Sequence, residues 1–506
     1  MPFIIEVGRG QTKAFSVDWE QETNVAPTFH PYTVESVEFG NIRGAIYRHE
    51  SALPVCKGAN ITEHAFVHVE GVVSGEKDYL THVELINQLE VGLKPFGDYI
   101  AIKIDELGDG WIDVPLMGFT PLFAYQTNLS TLLSDDLGLF FSFVFSRSKN
   151  HPTTWMNLDF IRDSMINEWG VREFPQDTLF RNVQRILPNE EWYFDRWQFR
   201  SRKRDSFQAK EEDINLYKSN KNKFYDRVFE SLTHGLTTIL QNTNSKKIEL
   251  LQSGGLDSRL SSCVLAPILE TEKFEIKVTH YGPDDHPDVI IGKRVASVLG
   301  INSESVVGGG GVWIPASLED YYRCIRVSMG EWNSNNWRTS RQFKGELVVS
   351  GQDNFKRWTF EKVVGMNRWY AGRMRYTKAL PVFSNPVIND VCKVYSSLNQ
   401  ENLHFEFAFE LMRRLSPEML DVPLVGMALP QLEVEPFSTI SQSKSTPSID
   451  AEAFFDREVA ATFLSSFTQS PSRMITLDMV ESNKRLKRII MDYAALSTRR
   501  FFSVDW

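Results

Sequence analysis

The chain has 506 residues, 42% of them hydrophobic and 24% charged, and 55 Lys and Arg against 65 Asp and Glu give a formal net charge of −10. That composition excludes wholesale disorder and argues against a nucleic-acid partner, whose phosphates need basic surface. The longest apolar runs, such as Leu137–Val144, fall far short of the ~20 residues that span a bilayer, so no membrane partner is expected. Cys56, Cys263, Cys324 and Cys392 are widely spaced with no CxxC pair, which argues against zinc, iron–sulfur and disulfide frameworks. The start Met1-Pro2-Phe3-Ile4-Ile5-Glu6 has neither the basic opening nor the apolar stretch of a secretory signal, so the expected location is cytoplasmic.

In chain order, the first two hundred residues read as short strands. Ala101-Ile102-Lys103-Ile104-Asp105 alternates with period two, as a half-buried strand does. Phe96-Gly97-Asp98 and Gly108-Asp109-Gly110 read as turns between strands. The expectation is an antiparallel, sheet-rich domain over residues 1–205. Arg200-Ser201-Arg202-Lys203-Arg204-Asp205-Ser206, leading to Lys210-Glu211-Glu212-Asp213, reads as a solvated linker because charge runs resist burial.

From 206 to 506 the pattern becomes α/β, then mainly helical after about residue 400. Phe224, Val228, Leu232, Leu236 and Leu240 recur every fourth residue and predict a helix. Lys246–Leu251 and Phe274–Tyr281 are predicted strands, and Ser261–Leu269 and Asp288–Leu299 predicted helices, the last ended by Gly300. Such alternation predicts a parallel sheet covered by helices. Gly308-Gly309-Gly310-Gly311 reads as a hinge or turn.

Between the first of these strands and the following helix lies Ser253-Gly254-Gly255-Leu256-Asp257-Ser258. At the carboxyl end of a parallel strand, two glycines allow a tight bend and close approach to a ligand. The helix start offers N–H groups and positive dipole to an anion, most naturally a polyphosphate. Asp257 beside an anion implies a divalent cation between them, and Mg2+ accepts carboxylate and phosphate oxygens together. The sequence is neither a Walker loop nor GxGxxG.

This hexapeptide resembles the pyrophosphate loop of the asparagine synthetase superfamily. Supporting similarities run through the chain: Tyr281–Ile301 with Asp288-Val289, Ala296 and Leu299-Gly300; Pro381-Val382-Phe383-Ser384 followed by Ile388; Arg413-Arg414-Leu415-Ser416-Pro417-Glu418 then Pro423; and, earlier, Gly118–Tyr125, Ser134-Asp135-Asp136-Leu137, Thr178-Leu179-Phe180 and Ile186–Glu190. The resemblance implies a degenerate Ntn-hydrolase-like domain over 1–205 and an ATP-pyrophosphatase domain over 206–506. Members that hydrolyse glutamine use an N-terminal Cys as nucleophile; Met1-Pro2 supplies no thiol, so no glutaminase activity is expected. The members most similar in this respect are β-lactam synthetases and lasso-peptide cyclases.

The resemblance further implies ATP and Mg2+ as cofactors, with a small-molecule or peptide carboxylate and an amine as reactants. Leu251, Ser253, Gly254, Gly255, Leu256, Asp257, Ser258, His280, Ser350 and Gly351 would bind the nucleotide. Asp257 and Asp353 would hold the metal, and Lys444 and Gln352 would be the catalytic residues, Lys444 contacting pyrophosphate and Gln352 standing where members carry Glu, Tyr or His. Tyr370 and Glu361 are the nearest candidates for a Tyr–Glu base. The resemblance leaves room for a homodimer or a partner maturation protein. The implied reaction is carboxylate adenylation followed by amide formation, intramolecular cyclisation included, in peptide or natural-product biosynthesis; the alternatives are amidation of a sugar acid or other small acid with free ammonia or a second amine, an ATP-binding scaffold without activity, and a sulfur-transferring or deaminating relative acting on nucleic acid, which the acidic balance disfavours.

Overall fold

The structure, a computed structural model, describes residues 3–8, 33–48, 59–61, 64–74, 82–93, 95–114, 122–135, 140, 157, 176–178, 180–187, 190–203, 208–243, 246–306, 347–350, 380, 382–383, 385–398, 403–425, 439–440, 457–465 and 476–482. The N-terminal strands are β1 (Phe3–Gly8), β2 (Thr33–Phe39), β3 (Ile42–Arg48), β4 (Ala59–Ile61), β5 (Ala65–Ser74), β6 (Phe96–Asp105), β7 (Gly110–Asp113), β8 (Phe123–Gln126), β9 (Ser130–Ser134), β10 (Val183–Arg185), β11 (Glu190–Asp195) and β12 (Gln198–Lys203). They form two six-stranded sheets, ordered β10-β8-β9-β1-β3-β2 and β12-β11-β7-β6-β5-β4, with antiparallel pairing throughout the described ladders.

Alternation decides which residues meet between the sheets. Phe3, Ile5 and Val7 of β1 share one buried cluster with Ile100, Ile102 and Ile104 of β6. The intervening Tyr99 and Ala101 turn to the other face, where Leu85 and Ile86 of helix α1 (His82–Glu90) cover them. Lys103 on that face pairs with Glu90 at the end of α1. The predicted period-two strand at 101–105 is therefore present and covered on both sides.

The Gly108 turn joins β6 to β7. The Asp105 carboxylate accepts the N–H groups of Leu107 and Asp109, both at 2.9 Å, and Gly108 takes φ +83° beneath the Trp197 ring. Two expectations are corrected. Phe96-Gly97-Asp98 is the first part of β6, paired to β5, and no turn. Arg200–Lys203, the start of the stretch read as solvated linker, belong to strand β12. There Phe199 is buried in the sandwich core, while Arg200 and Arg202 face Asp195 and Glu191 across the strand pair. An edge strand can carry alternate charges because only one of its faces must be apolar.

The second half opens with helices α2 (Glu211–Ser219) and α3 (Lys221–Gln241). In α3 the predicted apolar stripe is buried, and Asn220 caps it by accepting the Lys223 N–H at 3.0 Å. Then follow β13 (Lys247–Leu251), α4 (Leu256–Thr271), β14 (Glu275–Tyr281), α5 (Pro287–Val298), β15 (Ser303–Val306) and β16 (Leu347–Ser350). The four strands pair in parallel in the order β15-β14-β13-β16. Helix α4 begins earlier than the predicted Ser261, because Leu256, Asp257 and Ser258 are already its first turn. Gly300, at φ +69°, follows α5 as expected. Helices α6 (Pro386–Leu398), α7 (Leu403–Leu415), α8 (Arg457–Ser465) and α9 (Leu477–Ser482), with a short 3-10 helix (Pro417–Asp421), bear out the helical C-terminal part. Gly308–Gly311 lie outside the described residues. Among the described residues no helix is long and apolar enough to cross a membrane.

The helical layer is tied together by one carboxylate. Glu406 of α7 accepts hydrogen bonds from Tyr217 and Tyr225, both at 2.8 Å, and pairs with Lys221 at 3.0 Å. The Tyr225 hydroxyl also meets that of Tyr395 at 2.5 Å, so α2, α3, α6 and α7 share one polar knot inside an apolar core. Burial pushes all three tyrosines well above the usual phenol range, and the Glu406 carboxylate adds to it. Neutral tyrosine is thus favoured in the fold. Its contribution is whole below the unfolded value of about 10 and is lost as pH rises above it. Glu406→Ala leaves two buried hydroxyls without their acceptor and is expected to cost about 3 kcal/mol. Chemical denaturation at pH 7 checks this, and the parent is expected to lose stability steadily above pH about 10.

Candidate functional site

The parallel strands run outward from β13 to β14 to β15, and β16 then returns to the other side of β13. Order reverses between β13 and β16, and crevices that bind ligands lie at the carboxyl ends of strands at such a reversal. The pairing register sets Leu251 opposite Ser350 on one side and opposite Thr279 on the other. The turn 252–255 leaves the sheet at this point and enters α4. Three separated expectations, the Ser253–Ser258 turn, His280 and Ser350, are thereby brought to one end of the sheet.

Within the turn, hydroxyls and one amide replace regular backbone pairing. The Ser258 hydroxyl lies 3.0 Å from the Ser253 hydroxyl and accepts the Ser253 N–H at 3.1 Å. The Gln252 side chain donates to Ser258 at 3.0 Å and accepts from Ser262 at 2.7 Å, pinning the turn to the first two turns of α4. The Ser253 hydroxyl accepts the Gly255 N–H at 3.2 Å. Helix α4 then starts at Gly255, in extended conformation (φ −77°, ψ 169°) with no side-chain cap. Its first-turn N–H groups have no partner within the helix and carry the positive end of its dipole.

Exposure alternates along the bend. Gly254, Leu256 and Ser258 are buried, whereas Ser253, Gly255 and Asp257 are half-buried. Gly254 has no room for a side chain: a Cβ would stand 2.5 Å from Val425 Cγ2 and 3.0 Å from Ile291 Cβ. At Gly255 a Cβ would meet, among the described residues, only the Ser253 hydroxyl at 3.3 Å. One glycine serves packing beneath the turn; the other has no close packing partner but Ser253 among the described residues.

His280 is fully buried at the end of β14, its Nδ1 2.8 Å from the Gln252 carbonyl oxygen. A carbonyl only accepts, so Nδ1 carries the proton. Burial lowers the imidazole pKa, which keeps the ring neutral. Nε2 is then an acceptor, and it has no hydrogen-bond partner among the described residues. Gly292, in the middle of α5, permits this arrangement, since a Cβ there would lie 2.8 Å from His280 Nδ1.

Beneath the turn, Arg259 is fully buried, and its guanidinium donates to the carbonyls of Met419, Val422 and Pro423. Burial lowers it to about 10, so it stays charged at neutral pH. It fastens the 3-10 segment to α4. That segment continues into β17 (Leu424–Val425), where the Val425 N–H donates to the Gly254 carbonyl at 3.1 Å, and β17 pairs in parallel with β18 (Thr439–Ile440).

Gly351, Gln352, Asp353, Glu361, Tyr370 and Lys444 lie outside the described residues. Lys444 follows β18 by four positions in sequence. Among the described residues no group of three or more His, Cys, Asp and Glu could hold a metal; of the two expected metal carboxylates, Asp257 is described, in the first turn of α4. Sequence reasoning did not single out Arg259, Gly292 or Val425 as parts of the site. A glycine inside a helical pattern, such as Gly292, is the one local sign of close approach. No protein-family model matches the chain, and no curated protein matches it significantly.

The two glycines are expected to separate on substitution. Gly254→Ala must displace Val425 and is expected to cost about 1–3 kcal/mol, as overpacking does. Gly255→Ala, in backbone that alanine adopts freely, is expected to leave the thermal midpoint nearly unchanged. Melting curves of the two variants measure the difference.

Proposed function

We propose that this chain is an ATP-dependent, AMP-forming amide ligase of the asparagine synthetase type, acting in peptide or natural-product biosynthesis in the cytoplasm. The observation that carries the reading is the position of Ser253–Ser258: a pyrophosphate-loop sequence at the order reversal of a parallel sheet, running into an uncapped helix start. On this reading, residues 1–205 are a degenerate Ntn-hydrolase-like domain and residues 206–506 a synthetase domain.

The features present fit a nucleotide with its metal. The half-exposed edge of the turn carries the Ser253 hydroxyl and the Asp257 carboxylate. The buried, neutral His280 would act on the nucleotide side through the Gln252 carbonyl that it holds. Leu251 and Ser350, adjacent by register, would flank the base and ribose.

Bound Mg2+ would neutralise phosphate charge. The helix start and the Ser253 hydroxyl would steady the pyrophosphate as it leaves, with the Ser258 hydroxyl holding the turn in shape. Asp257, with Asp353, would hold the metal, and Lys444 would approach the leaving group. The substrate carboxylate oxygen displaces pyrophosphate from the α-phosphorus, giving an acyl-adenylate. An amine then forms the C–N bond, the acyl–phosphate bond breaks, and AMP departs with a proton lost from nitrogen. Holding the reactants in line contributes up to ~7–11 kcal/mol at such a site.

Titration with Mg·ATP tests the reading directly. The parent is expected to bind in a magnesium-dependent way and Asp257→Ala to lose that dependence. In a screen of carboxylates with amines, release of pyrophosphate with AMP is the expected outcome; ADP with phosphate would sink it.

A further inference from the structure

The Gly254 amide does not point into open space. It donates to Asp288 Oδ1 at 2.8 Å, a contact between residues 34 apart in sequence. Asp288 is itself held rigidly. It lies in the first turn of α5, its own N–H donates to His286 Nδ1 at 3.2 Å, and Pro287 fixes the backbone before it. On the other side of the same residue, the Gly254 carbonyl accepts the Val425 N–H. Gly254 is therefore gripped through both its polar groups, by two segments remote from it in the chain, and its missing Cβ lets both approach.

Immediately after this fixed point the turn opens. Among the described residues a Cβ at Gly255 would meet only the Ser253 hydroxyl, and the first turn of α4 follows. The direction in which those helix-start N–H groups face is set by where Gly254 is held. A hydrogen bond to an ionised acceptor is shorter and about twice as strong as a neutral one, so a carboxylate is an effective anchor for one main-chain amide.

We propose that Asp288 is a positioning residue for the phosphate-binding turn: by holding the Gly254 amide it aims the helix-start donors of Leu256–Ser258 at the nucleotide phosphates. This rests on the proposed ligase reading and adds to it a residue that touches neither substrate nor metal. It also removes the Gly254 N–H from the donors available to phosphate, leaving that task to the groups beyond it.

Three full-length chains test the proposal: the parent, Asp288→Asn, which keeps an acceptor oxygen, and Asp288→Ala, which keeps none. Mg·ATP affinity is measured by calorimetric titration, thermal midpoint by melting, and amide hydrogen exchange on a peptide covering Ser253–Leu256. Asp288→Ala is expected to weaken Mg·ATP about tenfold or more and to speed exchange at Gly254, with Asp288→Asn recovering most of both. An Asp288→Ala chain that binds Mg·ATP as tightly as the parent, or tighter, overturns the proposal, because the carboxylate then merely occupies an anion's place. Unchanged exchange at Gly254 overturns the clamp itself. A parent that binds no Mg·ATP overturns the proposed function and with it the aiming role, a result distinguishable from failure of the clamp because exchange reads the clamp without nucleotide.

Discussion

The bend after β13 depends on the Ser258 hydroxyl. It receives the Ser253 amide and the Gln252 side chain and lies against the Ser253 hydroxyl, so one side chain from the helix's first turn closes the loop that precedes it. A bend of two glycines has little conformational preference of its own. The hydroxyl supplies that preference from within the motif, while Asp288 and Val425 supply it from outside. The local bonds set the shape of the turn, and the remote ones set where that shape sits on the sheet.

The sheet order makes this position useful. With β16 on one side of β13 and β14 on the other, groups far apart in sequence converge at one end: Ser350 by backbone register, His280 through the Gln252 carbonyl, and the 3-10 segment through Arg259. Burying a guanidinium among carbonyls is costly unless its donors are satisfied. Arg259 meets that condition in part, its two terminal nitrogens donating to three main-chain oxygens while Nε has no partner among the described residues, and the segment carrying Val425 is held by charge as well as by packing.

Much of this was legible in the chain because it depends on local pattern. The stripe from Phe224 to Leu240 and the alternation at Ala101–Asp105 follow from periodicities that water imposes on any half-buried element. The Gly-Gly bend between a strand and a helix announces itself in the same way. What was not legible is long-range. Asp288 looks like an ordinary first-turn acid, and its bond to Gly254 exists only once α5 packs against the end of β13. The β12 strand was hidden for another reason: with Arg200, Arg202 and Lys203 in sequence, its charge density resembles a linker, and only the buried Phe199 and the acids of β11 make it an edge strand. Helix α4 begins before the predicted Ser261 because Leu256 is buried in the core and the Ser258 hydroxyl is tied to the turn, a tertiary preference that overrides the turn-forming tendency of Gly-Leu-Asp-Ser.

One contact joins the two halves in a way that reaches beyond the site. Gly235, on α3, lies so close to the Phe96 ring of β6 that a Cβ would stand 2.5 Å from it, and Phe96 packs against the core of the nucleotide-proposed half. The aromatic ring works as a tenon in a glycine mortise. Severing the chain near residue 206 would take that ring away from α3 and bare to water the apolar surface it covers.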